Sequence, residues 1–302
     1  MQGIWNDLVN GLKGGNLKAL ARAISLVENE YEDYNAFLKQ LPFSDKKIIG
    51  ITGPPGAGKS TIVDCLINEF VARHQKVGVL CVDPSSPYTK GALLGDRIRM
   101  NNWFNNPDVF IRSLASRGDT GGLHPKIIEI ADLVKTSPFD HIIIETVGAG
   151  QTETEIAGLA DTTVVVLVPE AGDDIQNMKS GLMEIADIFV VNKADRPEAD
   201  RFAKNLLSML SLSFSLKQKQ APVIKAVATE KKGIDELMKS IAGHQMTERN
   251  NASGKFSLLA ENAYWLIRQK RMKDINVQML AKKIEQLSGE KTFNLYQFIE
   301  DY

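Results

Sequence analysis

The sequence predicts an α/β fold in which a mostly parallel central sheet is flanked by helices, with further helical extensions at both ends of the chain. Two observations carry this reading. Short β-branched apolar runs recur from Lys47 onward, at 48–52, 77–82, 109–114, 141–144, 163–168, 188–191 and 223–227, separated by segments of helix length. Runs that are apolar throughout, without alternation, belong to strands buried on both faces, as in parallel sheets. After Ile241 the strand signals stop. The composition permits such a fold. With 302 residues, 43% hydrophobic and 24% charged, the chain can bury a large core, and its ordinary glycine and proline usage excludes fibrous and disordered classes.

The elements follow in order. Leu17, Leu20, Ile24, Val27 and Tyr31 recur every three or four residues behind Asn16, a good N-cap, so an amphipathic helix opens the chain. The first strand leads into Gly53, Pro54, Pro55, Gly56, Ala57, Gly58, Lys59, Ser60 and Thr61, followed by a helical run at 62–71. This is the G-x-x-x-x-G-K-[ST] pattern in the strand, loop and helix setting it requires, and it makes the fold class that of a P-loop NTPase. Gly56 and Gly58 allow backbone approaches that a Cβ would block, so that successive amides surround a phosphate at the positive end of the helix. Lys59 is expected to reach the β- and γ-phosphates and the Ser60 hydroxyl to enter the Mg2+ shell. The preceding stretch 52–54 has no lysine, which argues against the ATPase subclass that uses one across a dimer.

The later strands end in the remaining polar groups. Asp83 follows the second strand, Asp96 lies in Gly95-Asp96-Arg97, and Glu145 closes the fourth strand; all three are candidate metal-binding and catalytic acids. Glu145-Thr146-Val147-Gly148 stands where many GTPases carry D-x-x-G, with the Gly148 amide able to contact the γ-phosphate. Whether Glu145 holds metal through a water or orients the attacking water is left open by the sequence. The segments 147–151 and 171–174 are of the kind that senses a γ-phosphate. At the end of the sixth strand stands Asn192-Lys193-Ala194-Asp195. The Asp195 carboxylate only accepts, and it suits the N1–H and 2-amino donors of guanine, for which adenine has no equivalent. The Lys193 stem is expected along the base, Asn192 to tie this loop to the phosphate loop, and the Ala228-Thr229 backbone to contact the base. The expected ligands are therefore GTP or GDP with Mg2+.

Other classes are disfavoured. Lys and Arg number 36 against 37 for Asp and Glu, a formal net charge of -1, so no global positive field draws nucleic acid or an anionic membrane. Cys65 and Cys81 make neither a disulfide framework nor a metal cage, and His74, His124, His141 and His244 are scattered without ligand spacing. No apolar run approaches the roughly 18 residues of a spanning helix and no secretory h-region opens the chain, so a cytoplasmic protein is expected. Toward the C-terminus, polar residues 245–255 read as a linker, and 256–270 and 277–287 as helices with apolar stripes. The expected division is an N-terminal helical extension at 1–44, a nucleotide domain at 45–245 and a C-terminal helical segment at 246–302.

Several motifs in order add a resemblance. They are the phosphate loop, Asp83-Pro84-Ser85-Ser86-Pro87, Gly95-Asp96-Arg97-Ile98-Arg99-Met100, Ser116-Arg117-Gly118 with Gly121-Gly122, Glu145-Thr146-Val147-Gly148-Ala149-Gly150-Gln151 and Asn192-Lys193-Ala194-Asp195. With them the chain, from about residue 17 to 241, resembles the MeaB/ArgK family of methylmalonyl-CoA mutase-associated GTPases. The resemblance implies hydrolysis of GTP to GDP and phosphate in the service of an adenosylcobalamin-dependent acyl-CoA mutase, gating cofactor loading and protecting or reactivating the mutase. It maps the family's metal and catalytic acids onto Asp83, Asp96 and Glu145, and a further switch onto 171–179 with Lys179 as its responsive residue. It also implies a homodimer formed through the C-terminal helices. Two alternatives stand beside it. One is a kinase or ATPase linked to arginine/ornithine transport, against which Asp195 argues. The other is a metallochaperone GTPase for nickel enzymes, against which the lack of a His-rich tract or Cys pair argues.

Overall fold

In the computed structural model the described residues are 2–83, 100–116, 123–148, 153–171, 181–213, 221–249, 252–288, 293–300 and 302. The chain forms two compact units, Met1–Lys255 and Phe256–Tyr302. The first is a P-loop NTPase fold built on seven parallel strands: β1 (Ile48–Thr52), β2 (Val77–Asp83), β3 (Val109–Ala115), β4 (His141–Glu145), β5 (Thr162–Leu167), β6 (Ile188–Val191) and β7 (Val223–Lys225). Their order across the sheet is β3-β2-β4-β1-β5-β6-β7. Because every pairing is parallel, all carboxyl ends fall on one edge, where open α/β sheets bind their ligands.

The strands begin and end within about two residues of the positions expected from the sequence, since β1, β2, β5 and β6 are defined by apolar runs whose side chains are buried on both faces. The central strand β1 is buried along its whole length. Its Gly50 is a close-packing position: an added Cβ would lie 2.6 Å from Ile156 Cγ1 and 2.8 Å from the Ala160 Cβ. The helix Lys59–Ala72 directs Ile62, Val63, Leu66, Ile67 and Phe70 into the core. It ends where His74 takes a left-handed φ of 57° and the Gln75 N–H reaches back to the Phe70 carbonyl at 3.0 Å, a Schellman closure.

The amphipathic helix expected near the start spans Leu17–Glu28, shorter than the periodicity suggested. Asn16 caps it, its side chain accepting from the Lys18 and Ala19 amides. A helix not anticipated from the sequence, Gln2–Lys13, precedes it and buries Trp5, Leu8 and Leu12. Trp5 stacks on Phe37 at 4.6 Å and donates to the Glu32 carbonyl at 3.0 Å. Leu17–Glu28 packs against the helix Ile127–Thr136, and Arg112 of the edge strand β3 reaches Glu28 at 2.9 Å and Ser25 at 3.1 Å.

The polar stretch expected to be a linker is mostly helical. The helix Ile234–Arg249 runs through its first half, and Ala252–Arg271 begins within its second. Residues 245–249 contain no glycine or proline, so the preceding helix continues into them. In the second unit, Val277–Ser288 starts with the Asn276 side chain accepting from the Met279 amide at 2.8 Å. Leu295–Ile299 places Phe298 between Phe293 and Tyr302. No described helix is long and apolar enough to cross a membrane.

The packing at Gly50 gives a direct test of the sheet. Gly50→Ala forces Ile156 and Ala160 to move and is expected to cost about 1–3 kcal/mol, the range for overpacking a filled core. Urea unfolding followed by circular dichroism measures this, and a midpoint equal to wild type would contradict the packing described.

Candidate functional site

The site stands on the sheet's carboxyl edge. After β1 the chain turns through residues 53–58 into the helix Lys59–Ala72. Two glycines here have no substitute. Gly53, at φ 137°, lies so close to β5 that a Cβ would fall 2.1 Å from the Val166 carbonyl oxygen. Gly58, at φ 88°, faces the Asn192 amide, which a Cβ would meet at 2.3 Å. Both combine a left-handed backbone with a close approach.

Lys59 is buried, and its ammonium donates to the loop's own carbonyls, Gly53 at 2.8 Å and Pro54 at 3.2 Å. Held this way, the cation lies across the mouth of the loop. Ser60, also buried, donates its hydroxyl to Glu145 Oε1 at 2.7 Å. Pro55 and Gly56 form the exposed crest of the loop, Ala57 is buried beneath it and Thr61 is half-buried.

Sheet register brings the acids to this helix. Ile51 of β1 and Cys81 of β2 both pair with Glu145 of β4, so Glu145 ends its strand beside the loop and Asp83 stands two residues further along the neighbouring strand. Both carboxylates are buried. The chain beyond Glu145 is fastened to β1 by a pair of hydroxyls, Thr52 and Thr146 at 2.9 Å, and by the Thr146 amide donating to the Ile51 carbonyl at 3.0 Å. Gly148 then passes directly over Lys59; a Cβ there would lie 2.1 Å from the lysine Nζ. Asp96 and Lys179, both singled out from the sequence, lie outside the described residues, as do most of the segments 147–151 and 171–179.

On the other side of β1, β6 is followed by Asn192, which is buried and uses both ends of its amide. Its Nδ2 donates to the Ala57 carbonyl at 2.9 Å, and its Oδ1 accepts from the Ala228 amide at 3.2 Å. Lys193 adopts a left-handed φ of 57° and donates to the Gly56 carbonyl at 2.9 Å. Its stem therefore lies against the phosphate loop. Asp195 is exposed, as is Thr229, while Ala228 is buried. The Ala228 carbonyl accepts from the Cys65 thiol at 3.2 Å. Burial pushes that thiol's pKa upward, which keeps it protonated and a permanent donor.

Sequence reasoning did not find the Thr52–Thr146 pair or the Cys65 contact. A lone threonine or cysteine has no motif, and only the register of β1 against β4, or of β7 against the helix, brings its partner near. The two cysteines are both buried and not joined in a disulfide, and no group of three metal-ligating side chains is found among the described residues.

The comparisons decide the family. The model for the methylmalonyl-CoA mutase-associated GTPase MeaB matches residues 20–283. The chain belongs to this family. It is a P-loop GTPase. A Pyrococcus horikoshii protein bearing a GTPase name is 45% identical over 285 residues, spanning 93% of this chain and 88% of that one. A fused isobutyryl-CoA mutase of Geobacillus kaustophilus is 35% identical over 239 residues, which cover 74% of this chain and 22% of the mutase. Among solved structures, one titled as a LAO/AO transport system kinase aligns with a TM-score of 0.74 at 24% identity, covering 100% of this chain and 97% of that one, a likeness of fold.

The fit of Gly58 against Asn192 makes a prediction for this GTPase. Gly58→Ala pushes the Asn192 amide off the Ala57 carbonyl and strains the loop, so GDP affinity is expected to fall about tenfold or more, at least 1.4 kcal/mol. Titration with a fluorescent GDP analogue measures it; a value within twofold of wild type would show that Asn192 does not depend on the bare backbone.

Proposed function

We propose that this GTPase serves an adenosylcobalamin-dependent acyl-CoA mutase, using GTP binding and hydrolysis to gate cofactor loading and to protect or reactivate the mutase. The observation that carries the proposal is the fused mutase: about three quarters of this chain has a counterpart joined in one polypeptide to a protein named as a CoA mutase. A covalent fusion keeps two modules at high effective concentration. The separate chain proposed here acts on the same kind of partner in trans.

Within the site, residues 53–61 would cradle the phosphates, with Lys59 turning from the Gly53 and Pro54 carbonyls to the β- and γ-phosphates, and Gly148 contacting the γ-phosphate. Ser60, Glu145 and Asp83 offer hard oxygen donors of the kind Mg2+ takes, and the 2.7 Å contact between Ser60 and Glu145 supports their acting at one ion. When bound, the ion would offset negative charge on the phosphates. Asp96 is assigned to the same group on the family resemblance. Asp195 would read the guanine N1–H and 2-amino group, with the Lys193 stem beside the ring. Because the Ala228 amide already donates to Asn192, the neighbouring Thr229 amide is the better placed donor to the base.

The outer segments have their own roles in this reading. Residues 1–44 form the helical extension, 45–245 the nucleotide domain and 246–302 the segment through which two copies pair. Phe256, Leu259, Tyr264 and Ile267, all exposed along the helix Ala252–Arg271, supply an apolar surface for that pairing. Lys179 relays nucleotide state to the mutase.

Two measurements test this. Asp195→Asn is expected to shift preference from GTP toward xanthosine triphosphate, because an amide donates to the 2-oxo group where a carboxylate is repelled. Retained GTP preference would remove Asp195 from base recognition. For the partner, the mutase recovered from native lysate on the GTPase loaded with a nonhydrolysable GTP analogue is expected to stimulate hydrolysis. Lys179→Ala is expected to abolish most of that stimulation while leaving GTP affinity within about twofold, since coupling is a free energy separate from binding. Equal stimulation of variant and wild type would reject the relay, and failure to recover any acyl-CoA mutase would reject the partner.

A further inference from the structure

The loop after β7 is docked on the phosphate-loop helix through two of that helix's side chains. The Cys65 thiol donates to the Ala228 carbonyl at 3.2 Å from within the core. One turn further along the same helix, Asn68 Oδ1 accepts from the Lys231 ammonium at 2.8 Å on the surface. Between them the loop is a rigid turn. Val227 and Lys232 form an antiparallel bridge, Lys231 holds a left-handed φ of 56°, and Gly233, at φ 80°, lies so close to the preceding strand that a Cβ would meet the Lys225 carbonyl at 2.2 Å. A loop closed on itself in this way moves as one body, so fixing residues 228 and 231 fixes residue 229.

We infer that Cys65 and Asn68 are positioning residues for guanine recognition, setting the height of the 228–231 loop above the helix that carries Lys59 and Ser60. This rests on the assignment of the Ala228-Thr229 loop to the base. The geometry explains why the helix is the natural ruler. Lys59 and Ser60 occupy its first turn, Cys65 lies about 9 Å further along its axis and Asn68 about 13 Å, at 1.5 Å per residue. One rigid element thus sets the distance between phosphate groups and base loop. Asn192 links the same two loops, but from β6 and at the phosphate end. The helix contacts hold the Ala228 carbonyl and the Lys231 side chain, where Asn192 holds only the Ala228 amide.

The thiol suits this task. It is buried and its pKa is raised, so it offers a proton to the carbonyl throughout the neutral range and is a poor nucleophile. Its bond is individually weak, and it acts together with the Lys231–Asn68 contact.

The test uses the full-length protein with GDP, IDP, which lacks the 2-amino group, and ADP as probes, together with steady-state GTP hydrolysis. Cys65→Val keeps the volume and removes the donor; Asn68→Ala removes the acceptor. The double variant is expected to raise KM for GTP and Kd for GDP by about five- to tenfold, or about 1–1.4 kcal/mol, and to narrow the ratio of GDP to ADP affinity, while the ratio of GDP to IDP, set by the 2-amino group at Asp195, stays near wild type. Its kcat at saturating GTP should stay within twofold. Cys65→Ser in the Asn68→Ala background, which restores a donor, should recover part of the GDP-to-ADP ratio. If Cys65→Val does not fold, the surface variants Asn68→Ala and Lys231→Ala carry the test, each expected to raise KM two- to threefold with unchanged kcat.

Wild-type affinities and ratios in a folded double variant, or in both surface variants, would overturn the inference. So would an equal loss for GDP, IDP and ADP, which would mean a disturbed phosphate loop. A wild-type protein that binds GDP and ADP equally would overturn the base assignment itself, and with it this inference. Discrimination present in wild type but unmoved in the variants would overturn the positioning role alone.

Discussion

The Asn192 amide is the interaction on which the site's geometry depends. It is buried at the end of β6, and its donor faces the phosphate loop while its acceptor faces the loop after β7. A donor must meet the Ala57 carbonyl and an acceptor the Ala228 amide, so the side chain has one orientation only. The cost of losing it exceeds the modest net worth of two hydrogen bonds. With the amide removed, a buried carbonyl and a buried N–H would both go unsatisfied. The same amide accounts for Gly58, where a Cβ would stand 2.3 Å from its nitrogen. One side chain therefore fixes the identity of a glycine in a different loop, and the two motifs must be kept or lost together.

Parallel pairing supplies the second constraint. A one-residue slip of β4 against β1 would turn Glu145 away from Ser60, and one of β2 against β4 would carry Asp83 to the opposite face of the sheet. Gly50 and Gly53 guard against that slip from within β1 and just beyond it, because each fits against one particular neighbour, Ile156 and Ala160 for the first and the Val166 carbonyl for the second. The side of the site that holds Lys59, Ser60 and Glu145 is thus set by strand register, and the side that holds Asn192 by side-chain hydrogen bonds across loops.

This difference decides what was legible in the sequence. Strands buried on both faces announce themselves as apolar runs, and the phosphate loop and Asn192-Lys193-Ala194-Asp195 are local strings whose chemistry can be read residue by residue. The helix Gln2–Lys13 was missed: Trp5, Leu8 and Leu12 carry the helical spacing, but a short amphipathic segment with two glycines gives a weak signal. The helical residues within 245–255 were obscured for the opposite reason: the ends of two helices fall in a polar stretch with Gly254 inside it, where no apolar stripe marks them. Contacts such as Cys65 with Ala228, or Thr52 with Thr146, join residues far apart in the chain through single side chains. No local pattern encodes them; they exist only once the sheet order is known.

The N-terminal helices extend the same logic to the edge of the sheet. β3 is an edge strand, and its middle carries Arg112, a charge that helps keep such an edge from pairing with another chain. The charge is answered by Glu28, at the end of the capped helix Leu17–Glu28. Two residues further on, Glu30 meets Lys126 at 2.9 Å, and Lys126 in turn approaches Glu129 at 3.3 Å and the Tyr34 hydroxyl at 3.2 Å. Partly buried pairs of this kind add less to stability than to specificity, because their attraction is offset by lost hydration. The apolar face of the helix, with Leu20, Ala23, Ile24 and Val27 buried, supplies the adhesion. The ion pairs determine where along β3 and the helix Ile127–Thr136 it settles, so the N-terminal helices reach the nucleotide domain in one register, as the strands do among themselves.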